Sequence, residues 1–203
     1  MENLQSMFDH LRRHVAQFAP LTDDEFAQCT GFFVPKRLRK NSYLLQEGEV
    51  CRYLAFVTTG NLRSYTIDAK GEEHIVQFAF EGWWISDLYS YLTGQPTTYF
   101  IDALEDTDVL LIEAGLYDKL CSSIHKFERY FRFLLQNNYI ASHRRILASI
   151  SLSAEERYLQ LLEQHPAIVQ RVPLRSIASY LGITPEALSR IRRRISGRKA
   201  RHS

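Results

Sequence analysis

The sequence is poor in cysteine, and its three thiols, Cys29, Cys51 and Cys121, lie far apart with no C-x-x-C pair. A cysteine-held zinc or iron–sulfur centre needs about four ligands, usually two of them close in the chain, so that chemistry is excluded. An odd count of dispersed cysteines points instead to free thiols in or near a core. No apolar run approaches the roughly 18 residues of a membrane span. The opening segment MENLQSMFDHLRRHVAQFAP scatters charge where a secretory signal would carry an apolar block, so a cytoplasmic protein is expected. The seven histidines form no H-x-H or H-E-x-x-H pair, and no G-x-S-x-G, Walker A or dinucleotide fingerprint occurs. The β-rich middle holds a single histidine, His74, whereas a metal-dependent barrel oxygenase uses two or three with a carboxylate. The expectation is a protein without a metal, and not an enzyme.

What is present is ordinary globular material with an uneven charge. The 203 residues are 45% hydrophobic and 24% charged, enough for one large or two modest domains with a real core. Residues 151–203 carry ten Lys and Arg against four acidic residues, while residues 1–150 carry fifteen against nineteen. From Arg190 onward there are seven basic residues and no acidic one. A basic end on an otherwise acidic chain points to an anionic partner, nucleic acid first, with a solvated tail as the competing account.

Periodicity divides the chain into three textures. Leu4, Phe8, Leu11, Val15 and Phe18 recur at helical spacing until Pro20, and Thr22 with Glu25 forms a capping-box pattern for a second helix. From about Gly31 to Glu113, short β-type runs such as YLAFVTTG, HIVQFAF and VLLIEA alternate with turns at Gly48, Gly60, Gly71, Gly82 and Gly94. Strands punctuated every ten or so residues predict an all-β barrel or roll. Helix then returns at Leu116 and runs beyond thirty residues without Pro or Gly, with Phe127, Phe131, Leu134, Leu135, Ile146 and Ile150 as its apolar positions. A helix this long is either interrupted or leaves its domain to pair with a second chain. Ser153 and Glu156 open another capped helix, Pro166 ends it, and an extended AIVQRVP follows.

The stretch LRSIASYLGITPEALSRIRRRI, residues 174–195, decides the function. As one helix it would hold Gly182 at a cost of about 1 kcal/mol and Pro185 at about 3 kcal/mol. A break at Gly182 removes both penalties: the glycine closes one helix in a left-handed conformation, Thr184 caps the next, and Pro185 takes the first helical position. The result is a helix-turn-helix whose second helix spans 184–195. Ile177, Leu181, Leu188 and Ile191 face inward, Ile183 plugs the turn, and Ala178 allows close approach. Glu186, Ser189, Arg190 and Arg193 share the opposite face at i, i+3, i+4, i+7 spacing, suited to a major groove. Arg192, Arg194, Arg198 and Lys199 are assigned to phosphates. An αα-hairpin that binds no DNA is the bland alternative.

A β-roll, a long helix and a C-terminal helix-turn-helix resemble the CRP/FNR family of bacterial transcription regulators. The specific parts are SAEERYLQLL leading to IASYLGITPEALSRIRRRI, and LLQEGEVCRYLAFVTTGNLRSY, which is similar to the β-roll of cyclic nucleotide-binding domains. The resemblance implies an α+β chain: an N-terminal double-stranded β-helix of jelly-roll type over residues 1–115, a long dimerisation helix over 116–150, and an all-α DNA-binding domain over 151–203. It implies a homodimer that sets two recognition helices in successive major grooves about 34 Å apart on a near-palindromic site. Double-stranded DNA, RNA polymerase and a small-molecule effector are the implied partners, and a membrane is not. Glu186, Ser189 and Arg190 become the base-contact candidates, with Thr184 beside them. Many relatives carry a β-hairpin wing after this helix; here SGRKARHS follows, so no wing is expected.

The ligand cassette departs from the family. Its nucleotide-binding members carry Gly-Glu-Leu and, about eight residues on, Arg-Ser or Arg-Thr, the Glu holding a ribose hydroxyl and the Arg the phosphate. Here Ser86, Asp87 and Leu88 stand in the first position, and Thr97 with Thr98 in the second. Without the Arg the charge-assisted contact to a cyclic phosphate is missing, which argues against cyclic AMP and cyclic GMP and leaves no cofactor identified. The pocket candidates are therefore Asp87, Leu88, Thr97 and Thr98, with Ser142 and His143 on the long helix as a roof. An orphan ligand-sensing dimer that acts through protein contacts is the competing function.

Overall fold

A computed structural model describes the backbone of residues 4–199 and side chains through Gly197. Two compact units emerge. One holds residues up to Thr66 together with Val76–Asn138; the other holds Ile67–Ile75 and the chain from Tyr139 onward.

The first unit begins with α1 (Leu4–Ala16), which buries Met7, Phe8, Leu11 and Val15 along one face. The capped helix α2 (Asp23–Thr30) follows, and both halves of the Thr22–Glu25 capping box are made. Eight strands follow: β1 (Val34–Leu38), β2 (Tyr43–Leu45), β3 (Tyr53–Thr59), β4 (Leu62–Ile67), β5 (Glu73–Ala79), β6 (Trp84–Ile85), β7 (Phe100–Ala103) and β8 (Thr107–Glu113). They form two four-stranded sheets, β1-β8-β3-β6 and β2-β7-β4-β5. The described pairings are antiparallel, for instance Ala55 opposite Leu111 and Ser64 opposite Ile101. The alternation of strands between two sheets is the expected roll.

All five turn glycines have positive φ. Gly60 illustrates why no other residue serves: a Cβ there would lie 2.5 Å from Thr107 Oγ1 and 2.6 Å from the Asp106 carbonyl oxygen. The core between the sheets includes Ala55, Val57, Leu62, Ile101 and Val109, and helix α3 (Leu88–Thr93) sits between β6 and β7 in sequence.

The long helix is interrupted, one of the two expected alternatives, with the break at Ile124 giving α4 (Ala114–Ser123) and α5 (His125–Ser151). Neither Pro nor Gly causes the break. Ile124 is only 2% exposed, and burying its side chain in the core takes the backbone out of helical geometry (φ −131, ψ 87). Phe127, Tyr130 and Phe131 of α5 are buried in the first unit's core. Beyond them, α5 leaves Leu135, Tyr139, Ile146, Leu147 and Ile150 exposed.

The second unit adds α6 (Ala154–Gln164), α7 (Pro166–Arg171), α8 (Leu174–Tyr180) and α9 (Pro185–Lys199). Ser153 and Glu156 make their capping box. Residues 166–171 are helical and not extended as expected: Pro166 ends α6 but opens α7, because its missing N–H costs nothing at a first helical position. Tyr158, Leu161, Ile168, Ile177, Ala178, Leu188 and Ile191 are among this unit's buried residues. No described helix is long and apolar enough to cross a membrane.

Candidate functional site

The turn between α8 and α9 has the hydrogen bonds of a Schellman closure. Ile183 N–H donates to Ala178 O at 3.0 Å, and Gly182 N–H to Ser179 O at 2.9 Å, with Gly182 at φ +66. The glycine therefore ends α8 in the left-handed conformation expected of it. Thr184 then starts α9, its Oγ1 accepting from Ala187 N–H at 3.2 Å. Ile177, Ala178 and Leu188 are fully buried where the two helices meet.

Glu186, Ser189, Arg190 and Arg193 are all exposed, on the side of α9 away from Leu188 and Ile191. The Glu186 carboxyl is held below its ordinary value by its own backbone N–H, then by the Thr184 side chain, with Arg190 adding to it. It is therefore an acceptor at neutral pH. Arg192 is half-buried, and Arg194 pairs with Glu155 of α6 at 3.2 Å. The side chains of Arg198 and Lys199 lie outside the described residues, although α9 itself continues through both, four residues past the expected end.

Arg157 was not legible as a key residue. Its guanidinium donates to Leu152 O at 2.9 Å and to Leu181 O at 3.0 Å, tying the segment after α5 to the turn after α8. A basic residue in SAEERYLQLL gives no hint of that role, because both acceptors are backbone carbonyls and one of them lies 24 residues away.

The cassette in the β-roll is closed on itself. Asp87 caps α3, one carboxylate oxygen accepting from Tyr89 and Ser90 N–H, while the other accepts from Thr97 Oγ1 at 2.6 Å. Thr97 Oγ1 in turn accepts from Tyr99 N–H at 2.9 Å. Both side chains are buried, the one hydroxyl hydrogen of Thr97 is committed to Asp87, and three acceptor positions of Asp87 are occupied. Thr98 and Leu88 are exposed. Ser142 and His143 are exposed on α5, with the His143 ring stacked on Tyr139 at 6.1 Å.

Two further polar groups were missed. Arg63 and Asp102 form a buried two-point ion pair, Nε to Oδ1 at 2.8 Å and a second N–H to Oδ2 at 3.0 Å, with Arg63 4.3 Å above the Tyr65 ring. His14 Nδ1 lies 2.6 Å from the Tyr130 hydroxyl, which also accepts from Trp84 Nε1–H at 2.8 Å. Burial lowers the His14 pKa, which favours the neutral ring, and a neutral ring with Nδ1 unprotonated accepts the hydroxyl hydrogen. The cysteines are free, and burial pushes Cys29 up to about 12 and Cys121 up to about 11, so both remain thiols. Asp68, Glu72 and His74 cluster near the β4–β5 turn, where Asp68 Oδ1 accepts from Lys70 and Glu72 N–H and Oδ2 contacts His74.

Known proteins share this architecture. Residues 35–123 match the family model of the cyclic nucleotide-binding domain. The chain is 27% identical to the regulatory protein HlyX of Actinobacillus pleuropneumoniae over 185 residues, covering 84% of this chain and 75% of that one. It is 28% identical over 169 residues to the fumarate and nitrate reduction regulatory protein of Vibrio cholerae, covering 77% of this chain and 66% of that one. The fold superposes on FixK2 from Bradyrhizobium japonicum with a TM-score of 0.71 at 21% identity, over 82% of this chain and 86% of that one. With its β-roll, its long helix and its paired α8 and α9 in the same order, the chain is similar in sequence and in fold to transcription regulators of the CRP/FNR family.

Proposed function

We propose that the chain is a sequence-specific DNA-binding transcription regulator that works as a homodimer and reads a near-palindromic site with α9. One observation carries this reading: a Schellman turn and a Thr184 cap hold α9 with Glu186, Ser189, Arg190 and Arg193 exposed together on one face. Arg190 can take guanine O6 and N7, and Glu186 can accept from cytosine N4. Arg193 stands beside them on that face, while Arg192 adds positive charge for the phosphates and Arg194 does so after leaving Glu155. The two readings of Arg198 and Lys199 as phosphate contacts remain part of the proposal.

The apolar row Leu135, Tyr139, Ile146 and Ile150 on α5, exposed in a single chain, supports pairing with a second copy through that helix. In domain terms, the roll senses, α5 pairs and the C-terminal helices read. RNA polymerase is the partner such a regulator would address. The closed Asp87–Thr97 pair supports an effector other than cyclic AMP or cyclic GMP, and calorimetry with cyclic AMP is expected to show no tight binding.

Selection of bound duplexes from a random library tests the reading. It should recover two half-sites about 10 base pairs apart, centre to centre, with binding that weakens steeply as salt rises. Recovery of no preferred sequence would favour the competing account, a ligand-sensing dimer acting through protein contacts.

A further inference from the structure

The family's phosphate cassette is closed, yet the roll is not without a binding space. A cavity of about 150 Å³ lies among β3, β5 and β6, α3, α4 and α5, lined by Trp84, Tyr91, Tyr117, Phe131, Leu54 and Leu134 among others. Neither Asp87, Thr97 nor Thr98 is on its wall. Leu88, Leu92 and Leu135, which also line it, are 38%, 67% and 49% exposed, so that side faces solvent.

Three features define what fits. The volume is that of a cavity which holds one benzene-sized ring, about 150 Å³. No lining side chain carries a charge: the polar ones are Gln77, Ser86, Asn138 and the two tyrosines, and Gln77 donates to Trp84 O at 3.0 Å. An ionic ligand would be stripped of water with nothing to neutralise it. Finally, the lining residue Tyr91 is only 7% exposed, and its hydroxyl is buried with no hydrogen-bond partner among the described residues. A buried donor left unmade is rare in folded proteins and calls for an acceptor.

We infer that this cavity is an effector site for an uncharged single-ring aromatic molecule bearing one oxygen acceptor, which takes the Tyr91 hydroxyl hydrogen. The rings already meet at close range, Tyr117 to Phe131 at 4.7 Å and Trp84 to Phe131 at 5.4 Å, so a further ring would join an aromatic cluster edge-on or offset. Its contacts would reach α5 through Phe131, Leu134, Leu135 and Asn138, linking occupancy to the helix assigned to pairing. The role as effector rests on the regulatory reading; the binding itself does not.

The test uses the whole chain without DNA. Acetophenone, ethylbenzene and benzoate are compared by ligand-observed NMR and by quenching of tryptophan fluorescence. Acetophenone should bind saturably and about fivefold more tightly than ethylbenzene, which has the ring without the acceptor. Benzoate, of similar shape but charged, should bind more weakly than either. In Tyr91→Phe, which keeps the ring and loses the orphaned hydroxyl, the preference for acetophenone should vanish while ethylbenzene binding persists. A preference unchanged in Tyr91→Phe, benzoate binding best, or saturable binding of none would overturn the inference. So would binding that appears only when the chain is diluted to a monomer, since the cavity would then be filled by a second copy. Acetophenone binding in a protein that selects no DNA sequence would leave the site standing and refute the regulatory reading.

Discussion

Asp87 with Thr97 in the roll, and Glu186 with Arg190 on α9, are both pairs of polar side chains, yet they do opposite things. Asp87 and Thr97 are buried and have their hydrogen bonds filled by each other and by backbone N–H groups. Glu186 and Arg190 are exposed, Arg190 adds to the influences that keep the Glu186 carboxyl ionised, and both face outward for a partner. A polar residue at a family's ligand position is thus no sign of a ligand until its partners are counted. By the same criterion Tyr91 stands out along the aromatic cavity, since its buried hydroxyl has no hydrogen-bond partner among the described residues.

The comparison breaks most severely if the roll's own buried charges are disturbed. Arg63→Met leaves Asp102 buried without its partner and should cost about 3–5 kcal/mol, read by chemical denaturation. A double variant, Arg63→Met with Asp102→Leu, should recover much of that loss. If the single variant is as stable as the parent, the ion pair holds nothing together. Next in size, Asp87→Ala removes the α3 cap and strands the Thr97 hydroxyl, for about 1–3 kcal/mol. It should lower stability without creating or abolishing cyclic AMP binding; a change in nucleotide affinity would mean the cassette is a ligand site after all.

Much of this was legible in the sequence because it depends on local geometry. Gly182, Thr184 and Pro185 dictate the turn between α8 and α9 whatever surrounds them, and Thr22–Glu25 and Ser153–Glu156 likewise dictate their capping boxes. The five turn glycines marked the roll for the same reason. What escaped was set by distant contacts. The break at Ile124 follows from the burial of one side chain, not from a breaker residue. Residues 166–171 looked extended because a proline that ends one helix can also begin another. The links of Arg157 to Leu181, Arg63 to Asp102 and His14 to Tyr130 join residues 24, 39 and 116 apart, and no pattern along the chain announces them.

A smaller effect concerns pH. His14 is neutral in the fold because burial lowers its pKa below the ordinary 6.5, so the unfolded chain takes up a proton that the native chain refuses. Its stabilising contribution is full above 6.5 and is lost as pH falls through the lowered native value. His165 of the second unit is lowered by burial in the same direction. The melting temperature should therefore drop by a few degrees between neutral and mildly acid pH. His14→Gln, which keeps an acceptor for Tyr130 but cannot titrate, should shrink that drop; an identical pH profile would place the titration elsewhere. Smallest of all, Arg194→Ala breaks only a half-exposed pair with Glu155 and should change stability by less than about 1 kcal/mol. In a DNA-binding assay it should lower affinity for all duplexes alike.

The most direct test of the account is the sequence preference of Arg190→Ala set against that of Arg192→Ala, each selected on the same random duplex library as the parent. With Arg190 reading a base edge from the exposed face of α9, its loss should relax a single position in each half-site at a cost of about 1–3 kcal/mol. Arg192→Ala should weaken every duplex about equally and leave the preferred sequence unchanged. The reverse pattern, or a uniform loss from both, would contradict the assignment of that face to the bases.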